Sequence, residues 1–228
     1  MNYSSSFVKA LKAGIPLRQL GLSACLTLTL LLLQTLPALA HHPFGGETPD
    51  SAFGGFLSGL GHPVIGLDHL AFVIAAGLLA STLGCGLILP VVFVLASLAG
   101  TGLHLMGLEL PAAEFLISAS VLLFGVLLAL KHKPSNILVV SLGAIAGLLH
   151  GYAYGEAIFG AEMGPLVAYL LGFASIQLAI AYAAYWIGQS LGSAHKFGSL
   201  NLRFAGFALA GIGFAFLSTL IVDTVFPA

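Results

Sequence analysis

Two histidines and an aspartate lie close together at the start of a long apolar stretch, within an H-P-x-x-G-x-D-H string that runs from His62 to His69. Imidazole nitrogens with one or two carboxylate oxygens suit a borderline divalent cation such as Ni²⁺, Co²⁺ or Zn²⁺. A helix that begins at Pro63 would place His62 and His69, seven residues apart, on one face. A carboxylate costs about 2.5–3.5 kcal/mol at the centre of a membrane helix, so Asp68 should face protein or water. The string therefore predicts a metal site.

Further candidate ligands lie near the same end of other apolar stretches. His150 precedes Tyr154 by one helical turn, Glu156 lies just beyond, and Glu114 opens another stretch. We therefore expect several helices to bring ligands together in the outer half of a membrane. His104 is better explained by a hydrogen bond between helices, although it stays in the candidate set. The candidate metal ligands are His62, Asp68, His69, His150, Glu156, Glu114, His104, His41 and His42.

The composition restricts the class of protein. Of the 228 residues, 59% are hydrophobic and 7% are charged, with a mean hydropathy of +1.07. A soluble domain carries about 25% charged residues, so this chain cannot cover a water-facing surface. The composition excludes a soluble globular protein, a disordered chain and a nucleic-acid-binding protein, which needs a basic face. We expect an integral membrane protein whose partners are the lipid bilayer and a metal ion, and not a nucleic acid.

Residues 1–40 have the pattern of a cleavable signal peptide. Basic residues precede an apolar run at 22–36, and an A-x-A sequence ends at Ala40. The alternative is a retained first membrane helix, because about 15 apolar residues with their flanks nearly span a bilayer. After cleavage the mature chain would begin with His41 and His42, which would place two imidazoles outside the membrane.

Apolar stretches separated by brief polar breaks predict an all-α membrane protein with six transmembrane helices after the signal peptide. Open strand edges are not viable in lipid, so the spans should be helices. Each stretch has about 19–24 residues, enough to cross roughly 30 Å of hydrocarbon. Residues 41–61 would form an extracytoplasmic amino-terminal segment, and 62–228 the six-helix domain. The expected spans are 63–82, 84–106, 112–130, 136–155, 165–188 and 204–222.

The charged residues predict how these helices are oriented. If the mature amino terminus is outside, every basic residue of the mature chain falls on a cytoplasmic connection and the loop acids fall outside, as the positive-inside rule requires of Lys and Arg. Both termini would then be extracytoplasmic, and we expect the plasma (inner) membrane of a bacterium. His132 and His195 adjoin these lysines and are expected to be solvated. The basic residues are Lys131, Lys133, Lys196 and Arg203.

Glycine is regularly spaced in the fourth predicted span. Small residues four positions apart let membrane helices approach closely. The pattern predicts a packing seam along that span, at Gly143, Gly147, Gly151 and Gly155.

Three motifs carry a resemblance to a known family. They are the H-P-x-x-G-x-D-H string, L-P-A-A-E at 110–114 followed by S-A-S-V at 118–121, and H-G-Y-A-Y-G-E at 150–156. Together with the signal sequence and six spans, they are similar to the HupE/UreJ family of nickel permeases. The first string is fairly specific, and the match in the third span is weaker.

The resemblance implies a function and a set of site residues. It implies uptake of Ni²⁺, with Co²⁺ as an alternative, for metalloenzymes such as hydrogenase or urease. It implies that His62, Asp68 and His69 are ligands or pathway residues, and that His150 and Glu156 form a second group.

One position departs from the family's motif. The family commonly has H-G-x-A-H-G, and here Tyr154 stands in place of the second histidine. A pair of histidines one turn apart thus becomes His150 and a phenol, which is a poor ligand for these metals when protonated. We expect this difference to affect the second site or the choice of metal.

The expected function is secondary transport of a divalent metal ion, not an enzymatic activity, with no tightly bound cofactor. The chain has no G-x-S-x-G and no G-x-x-x-x-G-K-[ST] motif, which disfavours an intramembrane hydrolase and direct hydrolysis of ATP. Two alternatives are a haem-binding electron carrier with axial histidines and a metal-binding membrane protein that does not transport. The preferred metal, the driving force and the oligomeric state are left open by the sequence.

Overall fold

A computed structural model describes residues 48–193 and 198–226, which lie within one compact unit. The predicted signal peptide, His41, His42, His195 and Lys196 lie outside the described residues. Within the described ranges the secondary structure is helical, without strands. The helices are α1 (Ala52–Ile65), α2 (Leu67–Ala80), α3 (Ile88–Leu105), α4 (Ala113–Ala129), α5 (Asn136–Glu156), α6 (Met163–Ser193) and α7 (Gly198–Val225).

Four of these helices, α3, α5, α6 and α7, are long and apolar enough to cross a membrane, and many of their large apolar side chains are exposed. They correspond to the spans expected at 84–106, 136–155, 165–188 and 204–222. Helices α1 and α2 meet the same criterion only as a pair bent by 78°. Helix α4 has 17 residues, a length of about 25 Å. The described residues therefore support four spans, or five if the bent pair is one, instead of the expected six.

The prediction that a helix begins at Pro63 is wrong. Helix α1 begins at Ala52, where the Ser51 hydroxyl accepts a hydrogen bond from Gly54 N–H, and Pro63 lies inside its last turn. Residues 41–61 were expected to form an amino-terminal segment before the first helix. The structure differs because glycines of that segment are needed for close helix packing.

Helices α1 and α2 both pack against α6. A Cβ at Gly55 or Gly59 of α1 would overlap the backbone of Pro165 or Tyr169 in the first half of α6. Gly77 of α2 meets the second half of α6 in the same way. The bent pair therefore packs along α6 as a single broken helix, with the break at its middle.

The predicted glycine seam on α5 is confirmed. A Cβ at Gly147 or Gly151 would overlap the carbonyl oxygen of Phe93 or Ser97 in α3. The Thr101 hydroxyl of α3 also donates a 2.8 Å hydrogen bond to the Gly151 carbonyl. Contact between backbones thus fixes the depth of α5 relative to α3.

Basic side chains close the carboxyl end of α4. Lys133 Nζ donates to the carbonyls of Leu128 and Leu130 at 2.6 Å each, and Arg203 Nε of α7 donates to the Ala129 carbonyl at 2.8 Å. Cations are favourable there because the last carbonyls of a helix are unpaired and carry partial negative charge. The pKa of Lys133 lies below its usual value, because burial disfavours its charged form and Arg203 adds a like charge.

The acidic side chains lie at the opposite helix ends. Helices α3 and α5 end there, and α4 and α6 begin there. We call these two sides of the bundle the basic end and the acidic end. The acidic end carries Glu109, Glu114, Glu156, Glu162 and Asp223.

The close packing of α3 and α5 predicts that alanine substitutions at two different glycines change the stability of the protein differently. We expect Gly151→Ala to destabilise the protein by about 1–3 kcal/mol, because the added methyl overlaps a backbone carbonyl that cannot move away. Gly211 on α7 has open space around it, so Gly211→Ala should be neutral or gain up to about 1 kcal/mol of helix propensity. Thermal unfolding in detergent measures both, and an equal effect at the two positions would contradict the seam.

Candidate metal site at the broken helix

Three histidines from three helices meet beside the bend between α1 and α2. His62 lies in α1, His69 in α2 and His150 in α5, and their side chains are 3%, 3% and 0% exposed. The ring centroids of His62 and His69 are 5.8 Å apart, and those of His69 and His150 are 4.9 Å apart. His62 and His69 were predicted to share a face of one helix. They instead belong to two helices, which the bend brings together.

A chain of hydrogen bonds orients His69 and His150. The Ser120 hydroxyl of α4 donates to the Ile117 carbonyl at 2.7 Å and therefore accepts from His150 Nε2, at 2.9 Å. With its Nε2 protonated, neutral His150 accepts at Nδ1, where His69 Nδ1 lies 2.8 Å away. A neutral His69 is thus protonated at Nδ1 and has its lone pair on Nε2.

A second chain orients His62 in the same way. The Tyr169 hydroxyl of α6 donates to the Tyr154 carbonyl at 2.9 Å, and it lies 3.1 Å from His62 Nδ1. Because the single hydroxyl proton is used on the carbonyl, His62 Nδ1 must donate. In a neutral His62 the lone pair is then on Nε2. Orientation of an imidazole through the nitrogen that does not bind metal is the usual arrangement around metal-ligating histidines.

Asp68 lies in the first turn of α2, next to the bend. Its Oδ1 accepts a 2.8 Å hydrogen bond from His69 N–H, and the side chain is partly buried. The amino end of a helix favours a carboxylate because its N–H groups carry partial positive charge. At Gly66 a Cβ would come within 2.7 Å of the His69 ring. A larger residue at the bend would therefore displace the imidazole.

Tyr154, at the position of the family's second histidine, lies between the rings of the site. Its ring centroid is 5.0 Å from that of His62 and 4.5 Å from that of His69. The side chain is fully buried, and its hydroxyl has no hydrogen-bond partner among the described residues. The phenol thus fills space beside the imidazoles and leaves one polar atom unsatisfied.

Phenylalanine rings cover the other side of His150. The centroids of Phe72 and Phe93 lie 4.5 Å and 5.6 Å from that of His150, and Phe124 packs on Phe72 at 4.5 Å. These three rings are buried. They separate the histidines from the basic end of the bundle.

Within the described ranges, the other sequence candidates, Glu114, Glu156 and His104, do not join the three histidines. Glu114 and Glu156 are exposed at the acidic end. His104 packs on Tyr152 and Phe159 with ring centroids 4.6 Å and 5.9 Å away. Tyr152 is on a different face of α5 from His150, because two residues turn a helix by about 200°. The His104 Nδ1 atom is buried without a hydrogen-bond partner in the described part of the chain.

Across residues 48–193 and 198–226, no group of three or more His, Cys, Asp or Glu side chains is arranged to hold a metal ion. The histidines instead hydrogen-bond one another and nearby hydroxyls. A cation that binds them must replace part of this network.

Comparison with known proteins agrees with these motifs. The family model described as HupE / UreJ protein matches residues 28–216. The chain belongs to the HupE/UreJ family. Within that family it is similar to Protein HupE of Rhizobium leguminosarum bv. viciae, with 34% identity over 194 residues, which cover 83% of this chain and 95% of that protein. No solved structure matches the chain. The HupE/UreJ resemblance predicted from the sequence motifs is therefore confirmed.

Sequence reasoning missed two residues of the site, Ser120 and Tyr169. Ser120 is part of the S-A-S-V motif, but a serine in an apolar helix usually bonds its own backbone. Tyr169 lies in an apolar stretch and belongs to none of the three motifs. A buried hydroxyl needs a partner, but only the packing of the helices identifies which partner it finds.

The chain from Ser120 to His69 makes a testable prediction. In Ser120→Ala, His150 loses its acceptor, so we expect His69 to change from one tautomer to a mixture. Solid-state NMR of ¹⁵N-histidine-labelled protein measures this, with the His69 signals assigned from a His69→Asn sample. Ser97→Ala is the matched control, because Ser97 is also buried and bonds only a backbone carbonyl of its own helix in the described network. An unchanged His69 pattern in Ser120→Ala would contradict the chain.

Proposed function

We propose that this protein is a secondary permease that takes up a divalent transition metal ion, Ni²⁺ first and Co²⁺ as the alternative. In this proposal His62, Asp68 and His69 bind the ion, with His150 beside them. Membership of the HupE/UreJ family supports the substrate class, including supply of metalloenzymes such as hydrogenase or urease. The observation that carries the proposal is the meeting of three buried histidines, next to Asp68, at the bend between α1 and α2.

The broken helix favours a cation at this position. Helix α1 ends beside the site, so its last carbonyls contribute partial negative charge. Asp68 adds a carboxylate at the start of α2. Discontinuous membrane helices form the ion sites of many transporters because the break exposes backbone groups near the middle of the membrane.

The hydrogen bonds among the histidines suit transport better than storage. An ion must displace the Nδ1–H···Nδ1 bond between His69 and His150 if it is to use both rings, which lowers its affinity. Conduction requires a site that is strong enough to accept the ion and weak enough to release it. A few neutral imidazoles and one carboxylate meet this requirement. In this proposal the chain is not an enzyme and needs no tightly bound cofactor.

The residues at the acidic end have a different part in the proposal. Glu114 and Glu156 are exposed, so they attract cations to the entrance without binding them tightly. His41 and His42 would add ligands on that side. His104 stays a packing residue between α3 and α5.

The haem alternative is not favoured by the spacing of the histidines. Two axial histidines of a haem lie on opposite faces of the macrocycle. Here the His69 ring contacts those of His62 and His150, and the Tyr154 ring contacts those of His62 and His69. Rings in direct contact leave no space for a porphyrin between them. A protein that binds metal without transporting it is separated from a permease by measuring flux.

We also propose six spans with both ends of the mature chain outside. The pair α1 and α2 would be one broken span, and α4 a short span. Residues 1–40 would be removed as a signal peptide. The basic end faces the cytoplasm in this topology, as the positive-inside rule requires. Tyr182 and Trp186, half exposed on α6 near that end, fit the aromatic belt of a membrane interface.

Uptake tests the binding residues. We expect His62→Ala and Asp68→Asn to lower Ni²⁺ accumulation by about ten- to a hundredfold, the range seen when groups around a metal are lost. Cells that express each variant at a matched level are compared with wild type. His132→Ala is the control, because that histidine is exposed in the loop between α4 and α5. Accumulation that is unchanged in both site variants would overturn the assignment.

Cysteine labelling tests the topology. In a Cys85→Ser background, we expect a membrane-impermeant maleimide to label Glu162→Cys on intact spheroplasts, because the α5–α6 loop would be outside. Lys131→Cys should react only after the membrane is permeabilised. Both side chains are exposed in the structure, so a difference in labelling reports the side of the membrane. The reverse pattern would invert the proposed orientation.

A further inference from the structure

A fully buried glutamine, Gln177 of α6, is not explained by the packing of the bundle. The side chain is 0% exposed, and neither its oxygen nor its nitrogen has a hydrogen-bond partner among the described residues. An unpaired buried amide is costly, and buried polar groups are nearly always satisfied. The Tyr154 hydroxyl is a second buried atom without a partner in the described ranges.

Gln177 lies on the face of α6 that lines the histidine site. Tyr169, Phe173 and Gln177 follow one another at intervals of four residues and are all fully buried. Tyr169 contacts His62, and the Phe173 ring lies 5.3 Å from that of Tyr154. Gln177 is one turn further toward the basic end.

The directions of their helices predict that Tyr154 and Gln177 approach the same level of the bundle. Side chains on a helix tilt toward its amino terminus. Helix α5 runs from the basic to the acidic end, so Tyr154 leans toward the basic end. Helix α6 runs the opposite way, so Gln177 leans toward the acidic end. Both therefore approach the level of Phe173, just beyond the histidines. They do not bond each other, so a species that bridges them would satisfy both.

We propose that the Tyr154 hydroxyl and the Gln177 amide form an inner polar station, which receives the metal ion with part of its water shell after it leaves the histidines. This inference rests on the proposed transport function. The amide oxygen accepts a proton from a metal-bound water, and the amide nitrogen and the phenol each donate to a water oxygen. Neither group needs to bind the metal directly. Strongly hydrated divalent ions commonly retain waters in such sites.

The station explains why an uncharged glutamine lies at this depth. The rings of Phe72, Phe93 and Phe124 otherwise make the inner side of the histidine site apolar. An ion that moves from the histidines toward the basic end would have to lose its remaining waters there. Polar groups at this level replace the hydrogen bonds of the lost waters while the ion leaves the histidines. They should therefore affect the rate of transport more than the affinity for the metal ion.

Transport by purified protein tests the station. The measurements are the initial rate of Ni²⁺ uptake into proteoliposomes at increasing concentration, and thermal stability in detergent. We expect Gln177→Met, which keeps the length without the amide, to lower the maximal rate by about three- to tenfold, the value of one lost hydrogen bond in the transfer step. The half-saturating Ni²⁺ concentration should stay within about twofold, because the imidazoles are intact. Stability should be equal or higher, because an unpaired polar group is removed.

Gln189 provides a matched control on the same helix. Its Nε2 donates a 3.0 Å hydrogen bond to the Ser81 carbonyl, away from the histidines. We expect Gln189→Leu to lower stability and leave the maximal rate unchanged, which is the opposite of the Gln177 result. Gln177→Leu serves as the second variant if Gln177→Met folds poorly, because it also lacks the amide.

A double-mutant cycle tests whether the two groups act together. We expect Tyr154→Phe to lower the rate as Gln177→Met does, and the double variant to be no slower than either, because the bridged water is already lost. Independent, additive losses would overturn the shared station, and so would a wild-type maximal rate in Gln177→Met. In both cases wild-type uptake would still support the permease. If the wild-type protein itself takes up no Ni²⁺ or Co²⁺, both the proposed permease function and the proposed inner polar station are overturned.

Discussion

Each buried imidazole in this protein must give its N–H to an acceptor, and that requirement organises the site. In an apolar bundle an unpaired N–H is costly, since no bulk water replaces the missing partner. Ser120 and Tyr169 supply the acceptors because each has already given its own proton to a backbone carbonyl. A carbonyl only accepts, so the direction of both chains is fixed. As neutral imidazoles, His62 and His69 consequently carry their proton on Nδ1.

The break between α1 and α2 makes this arrangement possible. A straight helix through Gly66 would hold His62 and His69 at a fixed separation along one face. The 78° bend instead places the end of one helix and the start of another beside both rings. Close contact of Gly55 and Gly59 with α6 holds α1 in position. Helix packing through glycine therefore sets the geometry of the histidines.

The two ends of the bundle differ in charge because different helix termini meet there. At the basic end, Lys133 and Arg203 satisfy the last carbonyls of α4. At the acidic end, exposed carboxylates surround the helix termini nearest the histidines. In the proposed orientation a cation meets several carboxylates first, then imidazoles with the single carboxylate of Asp68, and then a polar amide beside apolar side chains. The number of negatively charged groups around the ion thus decreases as the surroundings become less hydrated.

Much of the class and part of the site follow from the sequence by itself. Apolar length and the scarcity of charge indicate a helical membrane protein, and the motif around Asp68 indicates the family and predicts His62, Asp68 and His69 as site residues. Only the tertiary structure decided that Pro63 lies at the end of a helix, that His150 pairs with His69, and that Gln177 has no hydrogen-bond partner among the described residues. Hydropathy and charge are properties of single residues and can be added along a chain. A hydrogen bond between helices depends on which faces meet, and that is decided by backbone contacts between residues far apart in the sequence.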